Sequence, residues 1–547
     1  MKHSFATLAE LYDFATAKFS KRYASGFSEG EQTYTYAQFK ERCDILSGTL
    51  SSFGVNSSDK VAILSENMPN WTIAFFSIAA FGRIAVPMLP ELSPNEVENI
   101  MTHSGSKAIF VSPRQYRKLS QSTIDRLHLI INMEDFTLIK ASDEEYTCDG
   151  EVKNPNTMDI AAIIYTSGTT GNAKGVMLSH RNLCHNVLIS WHVHHVSKSD
   201  VFLSILPMAH TYEMSVGMLY PFACGARVYY LQKPPTPTIL LETFKRIRPT
   251  TILSVPLIIE KIYRGSVLKT IKGSRFLRFL EKTWPSLLYF LIGGKLKKTF
   301  GGRVRFFGIG GAKLDSTVEA FLKKAHFPYA IGYGLTECAP LICCAGPKET
   351  KVGSTGKPGF GVQIKLDNIS EEGEGELMAK GPNVMLGYYK DYQRTRNVLS
   401  DDGWLHTGDL AKIDGKGRAY ILGRLGTMIV GASGENIYPE EIESVINNIN
   451  GVNESLVIKR GGQLVALVQF NENIIDWNLE GEDKFIKDME QRRKDIINFV
   501  NSHVNKSSTI NDVEVIKEPF VKTATHKIKR FLYTKDDKKQ KNKEEEK

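Results

Sequence analysis

Short apolar runs alternate along most of the chain with longer amphipathic segments. The runs KVAIL (60–64), KAIFV (107–111), DIAAIIY (159–165) and RVRFFGIGG (303–311) have the length and composition of buried strands, whereas TYAQFKERCDILSGTLSSFG (35–54) has the apolar spacing of a helix. Parallel strands joined by crossover helices form sheets that are covered on both faces, with ligand sites expected at the carboxyl ends of the strands. The pattern therefore predicts an α/β protein.

A chain of 547 residues is too long for one hydrophobic core, so we expect several domains. From about residue 353, short strands separated by Gly-rich turns predict a β subdomain over about 353–423. A last unit then combines a helix at YPEEIESVINNI (438–449), a hairpin at ESLVIKRGGQLVALVQF (454–470) and a helix over about 480–505. The charged tail at 534–547 is expected to be disordered.

The net charge of +9 favours anionic partners such as nucleotides, coenzymes or anionic lipid surfaces. Many cations of 261–305 alternate with large apolar residues, which suggests peripheral contact with an anionic membrane. Nucleic acid is not expected as a partner, because the sequence has neither zinc-finger spacing nor an RNA-binding aromatic signature. The best candidate for a membrane span, WPSLLYFLIGG (284–294), is too short, and the N-terminal segment is not typical of a signal peptide. We therefore expect a cytoplasmic location.

The segment YTSGTTGNAKGVMLSH (165–180) concentrates glycines and hydroxyl groups directly after an apolar run. Freed backbone N–H groups, hydroxyl donors and the charge of Lys174 together suit a phosphate group. The segment is not a Walker loop, because Lys174 stands between Ala173 and Gly175 instead of preceding a serine or threonine. A flexible linker is the alternative interpretation, but linkers seldom follow an apolar strand.

Three further motifs suit a nucleotide. In YGLTE (333–337) an aromatic ring can stack on a base, Thr336 can bond a phosphate and Glu337 offers an oxygen ligand for Mg²⁺. GIGGAKL (308–314) lets the backbone approach a flat group, and HTGDL (406–410) presents an acid, predicted to lie in a tight Gly turn, to the hydroxyls of a ribose. Each motif alone is equally typical of a strand end followed by a turn.

Together and in this order, the motifs resemble those of the adenylate-forming superfamily, which includes acyl-CoA synthetases, luciferases and the adenylation domains of peptide synthetases. The resemblance covers nearly the whole chain and extends to LPMAHTYE (206–213), GRLGTMIVGASGENIYPEEIE (423–443) and TATHKIKR (523–530). It implies a large N-terminal part of two α/β sheets plus the β subdomain, over 1–425, and a small mobile α+β C-terminal domain over 426–533.

The resemblance also implies a reaction and a site. A carboxylic acid is activated with ATP and Mg²⁺ to an acyl adenylate and then passed to CoA, without a prosthetic group. The loop would hold the β- and γ-phosphates, Glu337 helped by Thr166 would hold Mg²⁺, and Lys527 would neutralise charge near the α-phosphate. The catalytic set is Lys527, Glu337 and His210. The binding set is Thr166, Ser167, Gly168, Thr169, Thr170, Gly171 and Lys174 in the loop, Gly310, Gly311, Ala312, Tyr333, Gly334 and Thr336 around the adenine and phosphates, Asp409 and Arg424 at the ribose, and Gly434 and Glu435 at the pantetheine channel.

The sequence departs from the family pattern at three positions. Ala173 stands where proline is common, His526 replaces the usual glycine before Lys527, and Gly426 stands at the expected hinge, where a glycine allows large backbone rotation.

LPMAHTYE and the length of the loop after Arg424 resemble the long-chain fatty-acid branch. Aryl or other acids, and a carrier-protein thiol as the acceptor, remain alternatives. A nucleotide-binding pseudoenzyme and a membrane-interaction module are hypotheses from other classes.

Overall fold

The computed structural model describes residues 4–142, 154–166, 174–430, 436–449, 451–471, 482–505, 508–523 and 527–534. The predicted α/β class is confirmed, with two large sheets and three smaller ones. Within the described ranges, no helix is long and apolar enough to span a membrane.

The first sheet has nine strands, and its central six are parallel. In spatial order they are β16 (Lys357–Pro358), β15 (Leu341–Ala345), β14 (Tyr329–Gly334), β13 (Phe306–Ile309), β12 (Thr251–Ser254), β10 (Val201–Ser204), β11 (Arg227–Tyr230), β1 (Tyr23–Phe27) and β2 (Tyr34–Thr35). The YGLTE motif therefore begins at the carboxyl end of a central strand, where ligand sites are expected.

The second sheet has eight strands, and the phosphate-loop candidate joins two of them. In spatial order they are β19 (Gly387–Tyr388), β9 (Lys174–Ser179), β8 (Ile160–Thr166), β4 (Ile84–Met88), β3 (Lys60–Leu64), β5 (Ala108–Val111), β6 (Leu129–Asn132) and β7 (Leu138–Ala141). β8 and β9 are antiparallel, and Thr166 pairs with Lys174 at the two ends of the loop.

The described part of the chain contains seventeen α-helices. They are α1 (Leu8–Lys18), α2 (Tyr36–Ser52), α3 (Pro69–Ala79), α4 (Pro94–Ser104), α5 (Pro113–Tyr116), α6 (Gln121–Arg126), α7 (His180–Val193), α8 (Tyr220–Ala223), α9 (Pro237–Ile247), α10 (Pro256–Ile262), α11 (Lys269–Gly273), α12 (Arg275–Thr283), α13 (Pro285–Thr299), α14 (Ser316–Lys324), α15 (Tyr392–Val398), α16 (Pro439–Ile446) and α17 (Glu482–Asn501). Local sequence fixes their starts: in α2 the side chains of Thr35 and Gln38 form a capping box, which supplies partners for otherwise unpaired N–H groups. Two π-helical segments, Glu213–Leu219 and Tyr263–Leu268, and the 3₁₀ turns Thr336–Cys338 and Arg530–Leu532 complete the described helical structure.

The main hydrophobic core lies between the two large sheets. It combines side chains of both sheets with those of α1, α2, α3 and α7, and includes the fully buried Trp71, Phe75 and Phe76. A second core, containing Phe307 and Ile309, packs on the other face of the first sheet, and a third covers the other face of the second sheet. Both sheets are thus covered on both faces, as the near-continuous apolar runs predicted.

The later part of the chain forms smaller sheets. β17 (Gln363–Asp367), β18 (Gly375–Lys380), β20 (Leu405–Ile413) and β21 (Ala419–Arg424) make an antiparallel sheet in the region predicted as the β subdomain. β22 (Ile429–Val430) pairs with β23 (Asn436–Ile437), and β24 (Val452–Arg460), β25 (Gln463–Phe470) and β26 (Asp512–Ile516) form a last sheet beside α16 and α17.

Two local predictions need correction. The residues Lys357–Pro358 of GKPGFGVQIKLD extend the first sheet and are not a strand of the small antiparallel sheet formed by β17, β18, β20 and β21. HTGDL is not a tight turn: Asp409 lies inside β20, next to an irregularity of strand pairing at Leu410, while Gly408 has a positive φ of 70°. A strand interior holds a side chain more firmly than a turn does. Of the tail at 534–547 that was predicted to be disordered, residues 535–547 lie outside the described residues.

Candidate active site

Lys174, Glu337 and Tyr388 meet where the two large sheets converge. The ammonium of Lys174 lies 2.9 Å from Glu337 Oε1 and 2.8 Å from Tyr388 Oη, and the Tyr388 hydroxyl donates to Glu337 Oε1 at 2.8 Å. The three residues come from the start of β9, the 3₁₀ turn after β14, and β19, so they join both sheets. A cation that ends the phosphate-loop candidate is therefore held beside the carboxylate predicted to bind metal.

The electrostatics keep Glu337 ionised. Burial by itself raises the pKa of this carboxyl, but the charge of Lys174 and the hydrogen bonds from Lys174 and Tyr388 outweigh it, so that the pKa is lowered. The buried Oγ1 of Thr166 has no hydrogen-bond partner within the described part of the chain. An ionised carboxylate and an unpaired hydroxyl oxygen are hard oxygen ligands, so the residues present fit Mg²⁺.

A second cluster joins Tyr333, Asp409 and Arg424. The Tyr333 hydroxyl donates to Asp409 Oδ2 at 2.6 Å, and Arg424 Nε lies 2.9 Å from Asp409 Oδ1. Asp409 and Arg424 are direct cross-strand partners on β20 and β21, so the register of this small sheet fixes their pairing. Burial raises the pKa of Asp409, while Arg424 and the Tyr333 hydroxyl oppose that rise.

Lys527 faces both clusters from the C-terminal part of the chain. Desolvation and the neighbouring Arg424 lower the pKa of its ammonium, whereas Asp409 and Glu337 act in the opposite direction. These four interacting groups come from residues almost two hundred positions apart in the sequence, and the fold gathers them around one space. The arrangement places the cations Lys174, Arg424 and Lys527 near the two acids Glu337 and Asp409.

Backbone conformation explains two glycines near this space. Gly311 has a positive φ of 86°, a backbone conformation that residues other than glycine rarely adopt. A β-carbon at Gly334 would lie 1.8 Å from the carbonyl oxygen of Pro340, so only glycine lets the two segments approach this closely. Gly310 is buried, and its N–H donates to the carbonyl of Ser254 at the end of β12.

An apolar cavity opens beside the site. It lies between the first sheet and the helical segment that contains α7 and the Glu213–Leu219 π-helix, and the space of about 450 Å³ there includes volume open to solvent. Its lining includes Tyr212, Gly308 and Gly332, each within two residues of a predicted site residue. It continues along the strands to Phe306, whose ring stacks on that of His194 with centroids 4.7 Å apart.

Glu213, the last residue of LPMAHTYE, is fully enclosed by protein. Burial raises the pKa of its carboxyl to about 8, and its Oε2 atom has no hydrogen-bond partner within the described part of the chain. A β-carbon at Gly217 would lie 2.7 Å from the Glu213 carboxyl, so glycine leaves the room that this side chain occupies. The acid is therefore largely protonated at neutral pH, which avoids an unpaired buried charge.

The C-terminal part of the chain contacts segments next to the first sheet through α16 and the residues that follow it. Lys313 Nζ lies 3.0 Å from Glu441 Oε1, Arg264 Nη1 donates to the carbonyl of Asn447 at 2.5 Å, and Asn448 Nδ2 donates to Asp315 at 2.6 Å. Polar contacts of this kind can break and re-form more readily than a continuous apolar core.

The structure thus brings together Thr166, Lys174, Tyr333, Glu337, Asp409, Arg424 and Lys527, and places Gly310, Gly311, Ala312, Gly334 and Thr336 on the adjoining segments. His210 lies just before the π-helix, where its carbonyl accepts from the N–H of Met214. Ser167, Gly168, Thr169, Thr170, Gly171, Gly434 and Glu435 lie outside the described residues. Sequence reasoning missed Tyr388, because a tyrosine in GYYKD gives no sign that it meets Lys174 and Glu337.

The facing α/β sheets and the small β-sheet beside the site are those of an adenylate-forming enzyme. Residues 13–389 match the family model described as AMP-binding enzyme. The chain is 31% identical to long chain acyl-CoA synthetase 7, peroxisomal, of Arabidopsis thaliana over 82% of this chain and 70% of that protein. It is 28% identical to the long-chain-fatty-acid–[acyl-carrier-protein] ligase AEE15, chloroplastic, of the same plant, over 91% and 81%.

Among solved structures, the o-succinylbenzoate coenzyme A synthetase of Bacillus subtilis in complex with ATP and magnesium ion is similar, with a TM-score of 0.75 and 22% identity over 95% of this chain and 98% of that one. The chain belongs to the AMP-binding enzyme family, which confirms the family and the enzyme class that the motifs predicted.

Proposed function

We propose that this enzyme activates a long-chain fatty acid with ATP and passes the acyl group to CoA. The observation that carries the proposal is the apolar cavity, whose lining includes Gly332, the residue before Tyr333, and is almost entirely apolar. An apolar acyl chain fits such a space, while its carboxylate would lie next to the cations. The names of the relatives are consistent with this substrate class.

In the proposed complex, Asp409 and Arg424 bind the ribose, and Tyr333 with the backbone of 310–312 encloses the adenine. Lys174 and the loop 167–171 hold the β- and γ-phosphates. Glu337 and Thr166 would hold Mg²⁺, which as a Lewis acid would neutralise phosphate charge when bound. Binding phosphate at Lys174 requires its ammonium to share or leave the contact with Glu337, which a flexible lysine can do.

The first half-reaction forms a bond between a carboxylate oxygen and the α-phosphorus of ATP, and breaks the bond from that phosphorus to the leaving pyrophosphate. Lys527 lies near the groups that would surround this centre, and its ammonium would stabilise the charge that develops there. His210 precedes the cavity-lining Tyr212 and would contact the acyl carboxylate. A cation placed at the developing charge is worth more in a partly desolvated site than in water.

In the second half-reaction the thiolate of CoA attacks the acyl carbonyl and AMP leaves. We assign 1–425 and 426–533 to two domains, with Gly426 as the hinge about which the second turns after adenylation. Among the described residues, no atom would lie within 4 Å of a β-carbon at Gly426, and the contacts of α16 and the residues after it with Arg264, Lys313 and Asp315 are polar, so rotation would not break an apolar core. Gly434 and Glu435 would then face the pantetheine.

The acyl acceptor has a second candidate, since one relative is named as an acyl-carrier-protein ligase. The test incubates the enzyme with ATP, Mg²⁺ and a mixed pool of fatty, aryl and short acids, with CoA or with a holo acyl carrier protein, and identifies products by mass spectrometry. Long-chain acyl-CoA as the main product supports the proposal. Aryl thioesters, or acylation of the carrier protein alone, would replace it by the corresponding alternative.

A cytoplasmic location and a peripheral contact with an anionic membrane through 261–305 are also part of the proposal. The excess of cations in that segment supports the membrane contact.

A further inference from the structure

Two consecutive helices, α12 and α13, present large apolar side chains to solvent. Of 21 exposed large hydrophobic residues in the described part of the chain, six lie within the 16 positions 276–291, so their density there is far above that elsewhere. They are Phe276, Phe279, Trp284, Leu287, Phe290 and Leu291, with 44–66% of their surface accessible. A cluster of this kind on an otherwise ordinary protein surface marks an interaction site.

The exposure follows from the two faces of α13. Leu288, Ile292 and Leu296 are buried in the core on the outer side of the first sheet. Leu287, Phe290 and Leu291 project from the opposite side of the same helix, at the spacing of three and four residues that places side chains on one face. A helix that is apolar all round is normally buried or in contact with a membrane, and this one has only one side buried.

Cations flank these apolar side chains along the sequence. The stretch 275–298 contains six cationic residues and one acid, Glu281; the cations are Arg275, Arg278, Lys282, Lys295, Lys297 and Lys298. Among the described ion pairs of the chain, none involves any of these six cations. Their charge is therefore available to an external partner, and the complementary partner is anionic.

We infer that the outer faces of α12 and α13 form a docking surface for an anionic lipid bilayer. The aromatic and leucine side chains would enter the boundary between headgroups and acyl chains, where Trp is favoured, and the lysines and arginines would contact lipid phosphates. A second copy of the chain fits less well, because a two-fold contact of this surface with itself would bring like charges together.

The docking surface and the cavity lie on opposite faces of the first sheet. Alternate residues of β13 show this: Phe306 and Gly308 line the cavity, whereas Phe307 and Ile309 belong to the core that α13 covers. A bilayer at α12 and α13 would therefore leave the candidate active site uncovered. The inference rests on the membrane contact proposed above and narrows it to two helix faces; it does not depend on which acid the enzyme activates.

The test is co-sedimentation of the full chain with vesicles of equal parts phosphatidylcholine and phosphatidylserine, and with phosphatidylcholine vesicles. We expect strong binding to the anionic vesicles that weakens with added salt. The double variants Phe279→Ser/Phe290→Ser and Lys295→Glu/Lys298→Glu should each bind at least about tenfold more weakly. Matched controls are Tyr392→Ser, which removes an aromatic ring that is 74% exposed on α15, and Lys21→Glu/Lys416→Glu, which makes the same charge change elsewhere.

Thermal unfolding and ATP binding of each variant establish that it is folded. The inference is overturned if the wild-type chain does not bind the anionic vesicles, if it binds both kinds of vesicle equally, or if the control variants lose as much binding as the surface variants. It is also overturned if analytical ultracentrifugation shows that the serine variants dissociate a dimer, since the surface would then join two copies.

Discussion

Adding carbon atoms at Gly332 tests whether the cavity holds the acyl chain. Gly332 lines the cavity, and among the described residues a β-carbon built there would have only Leu341 Cδ2 within 4 Å, at 3.4 Å, which is close to ordinary contact. Gly332→Ala therefore occupies cavity space with little disturbance of the protein, and Gly332→Val occupies more. If each added carbon displaces one methylene of the acyl chain, the binding free energy falls by about 0.8 kcal/mol per carbon. Ala adds one carbon and Val adds three, so kcat/KM should fall about fourfold for Ala and about 60-fold for Val.

The assay measures kcat/KM for a series of saturated acids from short to long, together with KM for ATP. We expect losses of this size for long acids, little change for acids too short to reach the added carbons, and an unchanged KM for ATP. Gly48→Ala controls for a general effect of replacing glycine, because Gly48 is exposed on α2 and no atom of the described residues lies within 4 Å of a β-carbon there. Equal losses for short and long acids, or an effect on ATP alone, would refute the assignment of the cavity.

Four further outcomes are expected. Glu337→Ala should bind ATP but lose most adenylation, because Mg²⁺ would lose a protein ligand at the place where phosphate charge accumulates. Near-normal pyrophosphate exchange at saturating Mg²⁺ would contradict this. Asp409→Ala should no longer prefer ATP over 2′,3′-dideoxy-ATP in binding assays, and a retained preference would remove Asp409 from the ribose site. Because the pKa of Glu213 is raised to about 8, the folded protein keeps a proton that the unfolded chain releases, so the free energy of unfolding should fall as pH rises from about 4.5 to 8. Glu213→Gln should flatten that fall in pH-dependent denaturation, and an unchanged slope would contradict the assignment. Lys527→Ala should slow adenylation on the order of a hundredfold while sparing thioester formation from supplied acyl-AMP, and Gly426→Pro should do the reverse; equal slowing of both steps in both variants would refute domain alternation.

Local sequence predicted most of the fold because the strands of the large sheets are buried on both faces. Continuous apolar runs such as 159–165 and 303–311 became central strands, and the capping residues Thr35 and Gln38 set the start of a helix as their types suggest. HTGDL was misjudged because glycine usually ends a strand, whereas here Gly408 adopts a positive φ inside β20. Pairing with both β18 and β21 outweighs the local preference for a turn.

Some residues of the candidate site could be predicted from sequence motifs, whereas others are recognised only from their contacts in the structure. Glu337 and Asp409 could be proposed from short motifs, since a family motif marks the residue type that the chemistry needs. Motifs alone could not identify all of the residues that set the charge of Glu337 and Asp409. Tyr388 reaches Glu337 only because β19 pairs with β9, and these strands are more than two hundred residues apart in the sequence.

The contacts of Lys174 with Glu337 and Tyr388 have a functional consequence. Lys174, which must bind a phosphate, is held by Glu337 and Tyr388 at 2.9 and 2.8 Å. Polyphosphate binding must therefore compete with a preformed ion pair, and the carboxylate that it releases is the one proposed to bind metal. Phosphate and metal would consequently bind more tightly together than either does alone.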